Sequence, residues 1–117
     1  MRQIIITEDF KVKDNWTEEG TSYQDDLVIS FDDIVRVFGK PNGQNDYYKI
    51  DAEWEIITPA GIATIHNYKD GKNYLGPNGK SLNEITKWYI GGHSKKVVKY
   101  IKRVLLASEV FLTSSRV

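Results

Sequence analysis

The chain has 117 residues and a mass of 13.4 kDa, enough for one buried core and no second domain, so residues 1–117 are read as a single domain. Lysine plus arginine and aspartate plus glutamate both number 16, which leaves no net field to draw the molecule onto nucleic acid. With no cysteine, disulfides, thiolate nucleophiles and cysteine zinc sites are excluded, and a reducing cytoplasm is the expected setting.

The first residues hold a run of only three apolar side chains, Ile4 to Ile6, before acids appear. That run is too short for a signal peptide or a membrane span, so the expectation is a cytoplasmic protein without membrane contact. Ile4, Ile6, Phe10 and Val12 recur at even spacing and predict one irregular strand or two short ones. Residues 13–26 are polar and read as a loop, in which Trp16 and Tyr23 either pin the loop to the core or face a ligand. Pinning is the commoner use of such rings.

Leu27 to Ile29 leads into a short helix near 31–38 with readable ends. Ser30 is a good N-cap, Asp32 and Asp33 suit the positive end of the helix dipole, and Gly39 with Pro41 stops it. Phe31, Ile34, Val35 and Phe38 form its apolar stripe. Next, Tyr48, Ile50, Ala52, Trp54 and Ile56 alternate with charged residues, predicting a strand with one wet face. The turn Thr58-Pro59-Ala60-Gly61 returns it as a hairpin partner over Ile62 to Tyr68.

Residues 70–79 carry three glycines and a proline and read as a loop, followed by a strand over Ile85 to Ile90. The segment near 94–107 is an amphipathic helix: Val97, Val98, Ile101, Val104 and Leu105 lie on one side, five lysines and arginines on the other. The tail from Ser108 reads as a closing strand or an edge used in self-association. The fold class that results is α+β, an antiparallel sheet of about four to six strands with the last helix packed on it.

One stretch suggests a binding task. Gly91-Gly92-His93-Ser94-Lys95 reads as a strand end, a glycine turn and a capped helix start, the geometry that holds a phosphate on backbone N–H groups. An ordinary strand-to-helix turn explains the same residues, because neither the Walker pattern nor the dinucleotide glycine fingerprint is present. Lys69 is a candidate second cation, and Tyr74 and Trp16 are candidate stacking rings for a base. His66 and His93 are the only histidines; no nucleophile or metal-ligand spacing accompanies them, so no catalytic residue, cofactor or metal is assigned. Asp51, Glu53 and Glu55 share one strand face and read as a solvated face.

Phe38-Gly39-Lys40-Pro41, Glu53-Trp54, Gly61-Ile62-Ala63-Thr64-Ile65 with Tyr68-Lys69, and Trp88-Tyr89-Ile90-Gly91-Gly92-His93-Ser94 together resemble a group of small proteins of tailed bacteriophages and prophages. The resemblance spans about Phe31 to Leu106, and it departs at His66, where a tyrosine is expected. It implies a phage protein acting in the cytoplasm of an infected bacterium, an antagonist of host defence. Three readings follow. The first is a non-enzymatic homo-oligomeric binder that sequesters a phosphate-bearing, cyclic nucleotide signal. The second is an inhibitor that binds a host defence nuclease, or a CRISPR or restriction component. The third is a small hydrolase using His66 or His93. Nucleic acid is not an expected partner.

Overall fold

The computed structural model describes residues 4–5, 21–43 and 48–108. It is an α+β fold. In chain order the elements are β1 (Ile4–Ile5), β2 (Ser22–Val28), α1 (Phe31–Phe38), β3 (Glu53–Thr58), β4 (Gly61–His66), α2 (Lys72–Leu75), β5 (Lys87–Gly92) and α3 (Lys96–Ala107), with 3₁₀ turns at Gly76–Asn78 and Leu82–Glu84. The strands form one five-stranded sheet in the order β1-β3-β4-β5-β2. Four strands are antiparallel to their neighbours, and the two-residue β1 joins β3 in parallel.

Strand parity sorts the side chains. In the β3–β4 hairpin Trp54 faces Ile65 and Ile56 faces Ala63, while the alternate pairs are Glu53 with His66 and Glu55 with Thr64. Across β4 and β5, Ile65 meets Ile90 and His66 meets Tyr89. One face of the sheet is therefore Trp54, Ile56, Ala63, Ile65, Trp88 and Ile90, all fully buried. Both longer helices cover it. α1 begins as its sequence predicts, with Ser30 Oγ accepting from the Asp33 N–H at 3.1 Å, and ends at Gly39, whose φ of 84° needs glycine. Phe31 of α1 packs against Trp54 and Trp88, with ring centroids 5.8 and 6.2 Å away. Trp54 Nε1 donates to the Gly39 carbonyl at 2.8 Å, so one side chain fills the core and fastens the end of α1. α3 buries Val97, Ile101 and Leu105 against β3 and β4.

Two expectations are corrected on β3. The strand starts at Glu53 rather than Tyr48, because the amide of Asn67 substitutes for ladder bonds over residues 51–52. Its Oδ1 accepts from the N–H groups of Asp51 (2.8 Å) and Ala52 (3.1 Å), and its Nδ2 donates to the Asp51 and Asp70 carboxylates at 3.0 Å each. The second face is not open to water at its acids either: Glu53 and Glu55 are only 6% and 3% exposed. Gly43 lies directly on Glu53, its N–H bonded to the Glu53 carbonyl at 2.8 Å, and Asn42 pairs with both backbone groups of Glu55.

β2 is the element the sequence hides. Ser-Tyr-Gln-Asp-Asp is a poor strand former, yet it runs along β5 with a bulge between Tyr23 and Asp25. Polar side chains satisfy the groups the bulge frees: Lys95 Nζ donates to the Gln24 carbonyl at 2.6 Å, and Asp25 Oδ1 accepts the Asp26 N–H at 2.8 Å. Burial works to raise the Asp25 pKa, but the Asp26 N–H and the Lys102 ammonium, 3.1 Å from Oδ2, outweigh it and hold the carboxyl below its usual value. The part of the predicted N-terminal strand beyond Ile5, with Ile6, Phe10 and Val12, and the tail beyond Ser108 lie outside the described residues.

Asn67 is fully buried and makes four hydrogen bonds, so Asn67→Ala leaves two backbone N–H groups without their acceptor. Urea denaturation is expected to show a loss of about 3 kcal/mol.

Candidate functional site

The glycine turn is not built as the sequence suggests. Gly91 and Gly92 are the last two residues of β5, buried, and paired on both sides: Gly91 with Thr64 and Tyr23, Gly92 with Ala63 and Ser22. Their lack of side chains serves packing. A Cβ at Gly92 would stand 2.6 Å from Val97 Cγ2, and one at Gly91 would stand 2.6 Å from Thr64 Oγ1. The helix start beyond is already occupied. Ser94 Oγ accepts from the Lys96 N–H at 3.3 Å, and the Val97 and Val98 N–H groups bond to the Ser94 and Lys95 carbonyls. Lys95 is spent on the Gln24 carbonyl, and His93 is exposed between strand and helix. Gly91 and Gly92 thus belong to the sheet, and the N–H groups of Lys96, Val97 and Val98 are taken up by Ser94 and Lys95.

Lys69 and Tyr74 do meet, with Lys69 Nζ 5.4 Å from the ring centroid. They lie away from Gly92, however. Gly92 sits beside Ala63 near the start of β4, whereas Lys69 follows the end of β4 at His66. Trp16 lies outside the described residues.

Between those two ends, on the face opposite the helices, is a pocket of ≈ 310 Å³ lined by Tyr23, His66, Tyr68 and Tyr89. Strand parity creates it. His66 of β4 is opposite Tyr89 of β5, ring centroids 6.1 Å apart, and Tyr23 of β2 meets Tyr89 edge-on at 6.0 Å. Tyr68, two residues past His66, supplies a further wall and is 41% exposed. Tyr23, 61% exposed, lines this pocket rather than pinning a loop to the core. Gly91 lies beside the pocket on the same face, its missing side chain leaving room for Thr64 and His66.

The polar groups around the pocket are few and specific. Burial pushes the His66 pKa down to about 4, so the imidazole is neutral at physiological pH. Its Nδ1 is 3.2 Å from Thr64 Oγ1, leaving Nε2 as the ring nitrogen for other contacts. The Tyr23 hydroxyl donates to Asp26 Oδ1 at 2.7 Å, which raises its pKa and keeps the phenol neutral. Two ammonium groups stand by the walls: Lys87 Nζ is 5.7 Å from the Tyr89 centroid and Lys69 Nζ is 5.2 Å from that of Tyr68. Lys87 also forms an exposed pair with Asp26 at 3.6 Å.

Three phenol rings and an imidazole make surfaces for a flat apolar ligand, and the two cations favour one that carries negative charge. The same cations disfavour a quaternary ammonium, the other usual guest of an aromatic box. Among the described residues no group of three His, Cys, Asp or Glu side chains could hold a metal ion, and no helix is long and apolar enough to cross a membrane. From the sequence, His66 stands as a histidine without a partner, and Tyr68 and Tyr89 enter only as parts of the resemblance motifs. The usable signal was parity, since His66 and Tyr68 are two residues apart, as are Tyr89 and Gly91. Comparison with protein-family models, curated proteins and solved structures finds no match.

His66 gives the site a pH signature. Its folded pKa of about 4 lies below the ordinary 6.5, so between these values the unfolded chain takes up a proton that the folded one refuses. Stability is complete above the unfolded pKa and falls as pH drops toward 4. Urea unfolding at about pH 7 and about pH 4.5 is expected to show a loss roughly 2 kcal/mol larger in the wild type than in His66→Gln.

Proposed function

We propose that this chain is a non-enzymatic binder of a phosphate-bearing nucleotide, with the base held among Tyr23, Tyr68 and Tyr89 and the phosphate drawn to Lys69 and Lys87. The observation that carries the reading is the tyrosine-walled pocket with two lysines at its rings. A base offers an aromatic face to any of these rings, and stacking of this kind contributes about 1–3 kcal/mol per base. His66 adds one hydrogen-bonding nitrogen for a base edge. This reading keeps Lys69 from the sequence-based site, moves the phosphate from the glycine turn to Lys69 and Lys87, and places the base on the strand-face tyrosines instead of Tyr74 or Trp16.

Within the setting that the phage resemblance implies, such a protein sequesters a nucleotide signal of host defence and leaves it intact. A second reading, capture of a host defence protein, draws on the exposure of Tyr23, Tyr48 and Tyr68 on one molecule. Recovery from a bacterium with an active nucleotide-signalling defence separates the two. Native mass spectrometry shows a nucleotide-sized increment under the first reading and a protein-sized one under the second.

Tyr68→Ala removes an exposed wall without opening the core, and isothermal titration with AMP is expected to show about tenfold weaker binding. Lys96→Ala, at the helix start, is expected to leave the affinity unchanged. Equal affinity in Tyr68→Ala and wild type, or a loss confined to Lys96→Ala, contradicts the placement.

A further inference from the structure

Beyond Tyr68 the aromatic surface continues. Lys69 Nζ lies between two rings, 5.2 Å from Tyr68 and 5.4 Å from Tyr74, and Tyr74 in turn packs on Tyr48 with centroids 5.2 Å apart. Tyr48 is 62% exposed and Tyr74 is half-buried, so this second pair presents ring surface to solvent. The arrangement in order is a ring pocket, a cation and a second ring pair.

The backbone that carries that cation is held in place. Lys69 has a φ of 62°, a backbone conformation that residues other than glycine rarely adopt, and its N–H is bonded to the Lys49 carbonyl at 2.8 Å. The second ring pair is tied to the same joint. Asn73, next to Tyr74, donates through its N–H to Asp51 Oδ2 at 3.2 Å and through Nδ2 to the Ile50 carbonyl at 3.0 Å, just past Tyr48. Core packing does not explain Tyr48, because an exposed ring tilted against another ring buries little.

We infer that the site takes a dinucleotide: one base in the Tyr23–Tyr68–Tyr89 pocket, the second on Tyr48 and Tyr74, and the phosphate joining them at Lys69. The inference rests on the nucleotide reading above and narrows its ligand to a free molecule with two bases about one phosphate. A single nucleotide uses the first station and Lys69; only a second base reaches the other ring pair. The shared chemistry is two aromatic faces separated by one negative charge, which matches ring, cation, ring.

The test titrates the full chain with AMP, ADP and the linear dinucleotide pApA. ADP adds charge without a second base and so controls for simple electrostatics. The expected result is pApA binding at least about tenfold tighter than ADP, from one further stacked base. Tyr74→Ala is expected to abolish that gain while leaving AMP affinity as it was, and circular dichroism confirms that the variant is folded. AMP binding with no gain for pApA, or a gain that survives in Tyr74→Ala, overturns the dinucleotide inference and leaves the single-base pocket standing. No binding of any of the three overturns both. Affinity that keeps rising from pApA to a hexa-adenylate overturns the free dinucleotide in favour of a longer strand.

Discussion

Trp54 is completely buried, touches Trp88 and Phe31, and bonds through Nε1 to the carbonyl of Gly39, the residue that caps α1. Everything on the far side of the sheet follows from that placement. A strand alternates strictly, so once Trp54 and its cross-strand partner Ile65 face the helices, Glu53 and His66 must face away. β5 repeats the rule with Ile90 inward and Tyr89 outward, and β2 brings Tyr23 beside Gly91. The pocket is thus the complement of the core, held by the same backbone register. Sliding any strand by one residue would send the rings into the core and the isoleucines to water.

The outer face combines polar groups that water would normally solvate. Two glutamates on β3 are nearly buried, and a histidine on β4 is held neutral by burial. Such groups are costly if left unsatisfied; Gly43 and Asn42 cover the two glutamates, and Thr64 Oγ1 stands 3.2 Å from His66 Nδ1. Glycine at position 91 belongs to the same arrangement, since any side chain there would press on Thr64 and displace the group that orients His66. The two glycines that stand out in the sequence matter for close approach, and their N–H groups belong to the sheet.

Legibility varied with how local the governing physics was. α1 was readable to its caps because Ser30, Asp33 and Gly39 act within their own turn. The apolar side of α3 was readable from periodicity, and the Gly61 hairpin from its turn residues. β2 was not, because a bulged strand with two adjacent acids gains its stability from β5, Lys95 and Lys102, all remote in the chain. The start of β3 was misplaced for a similar reason: Asn67, remote in sequence, takes over the hydrogen bonds of residues 51–52. For the site, Lys69 and Tyr74 were legible as a cation and a ring. Their union with each other, and their distance from Gly92, depended on the direction of β4 and on the register across it.

The central claim is that ligand recognition belongs to the tyrosine face and not to the start of α3. Amide chemical-shift mapping tests it directly, by recording proton–nitrogen correlation spectra while AMP is added to the labelled protein. The account predicts shifts concentrated at Tyr23, His66, Tyr68, Lys69 and Tyr89, with Lys95 to Val98 unmoved. Shifts confined to His93 through Val98 would contradict it and return the binding site to the helix start.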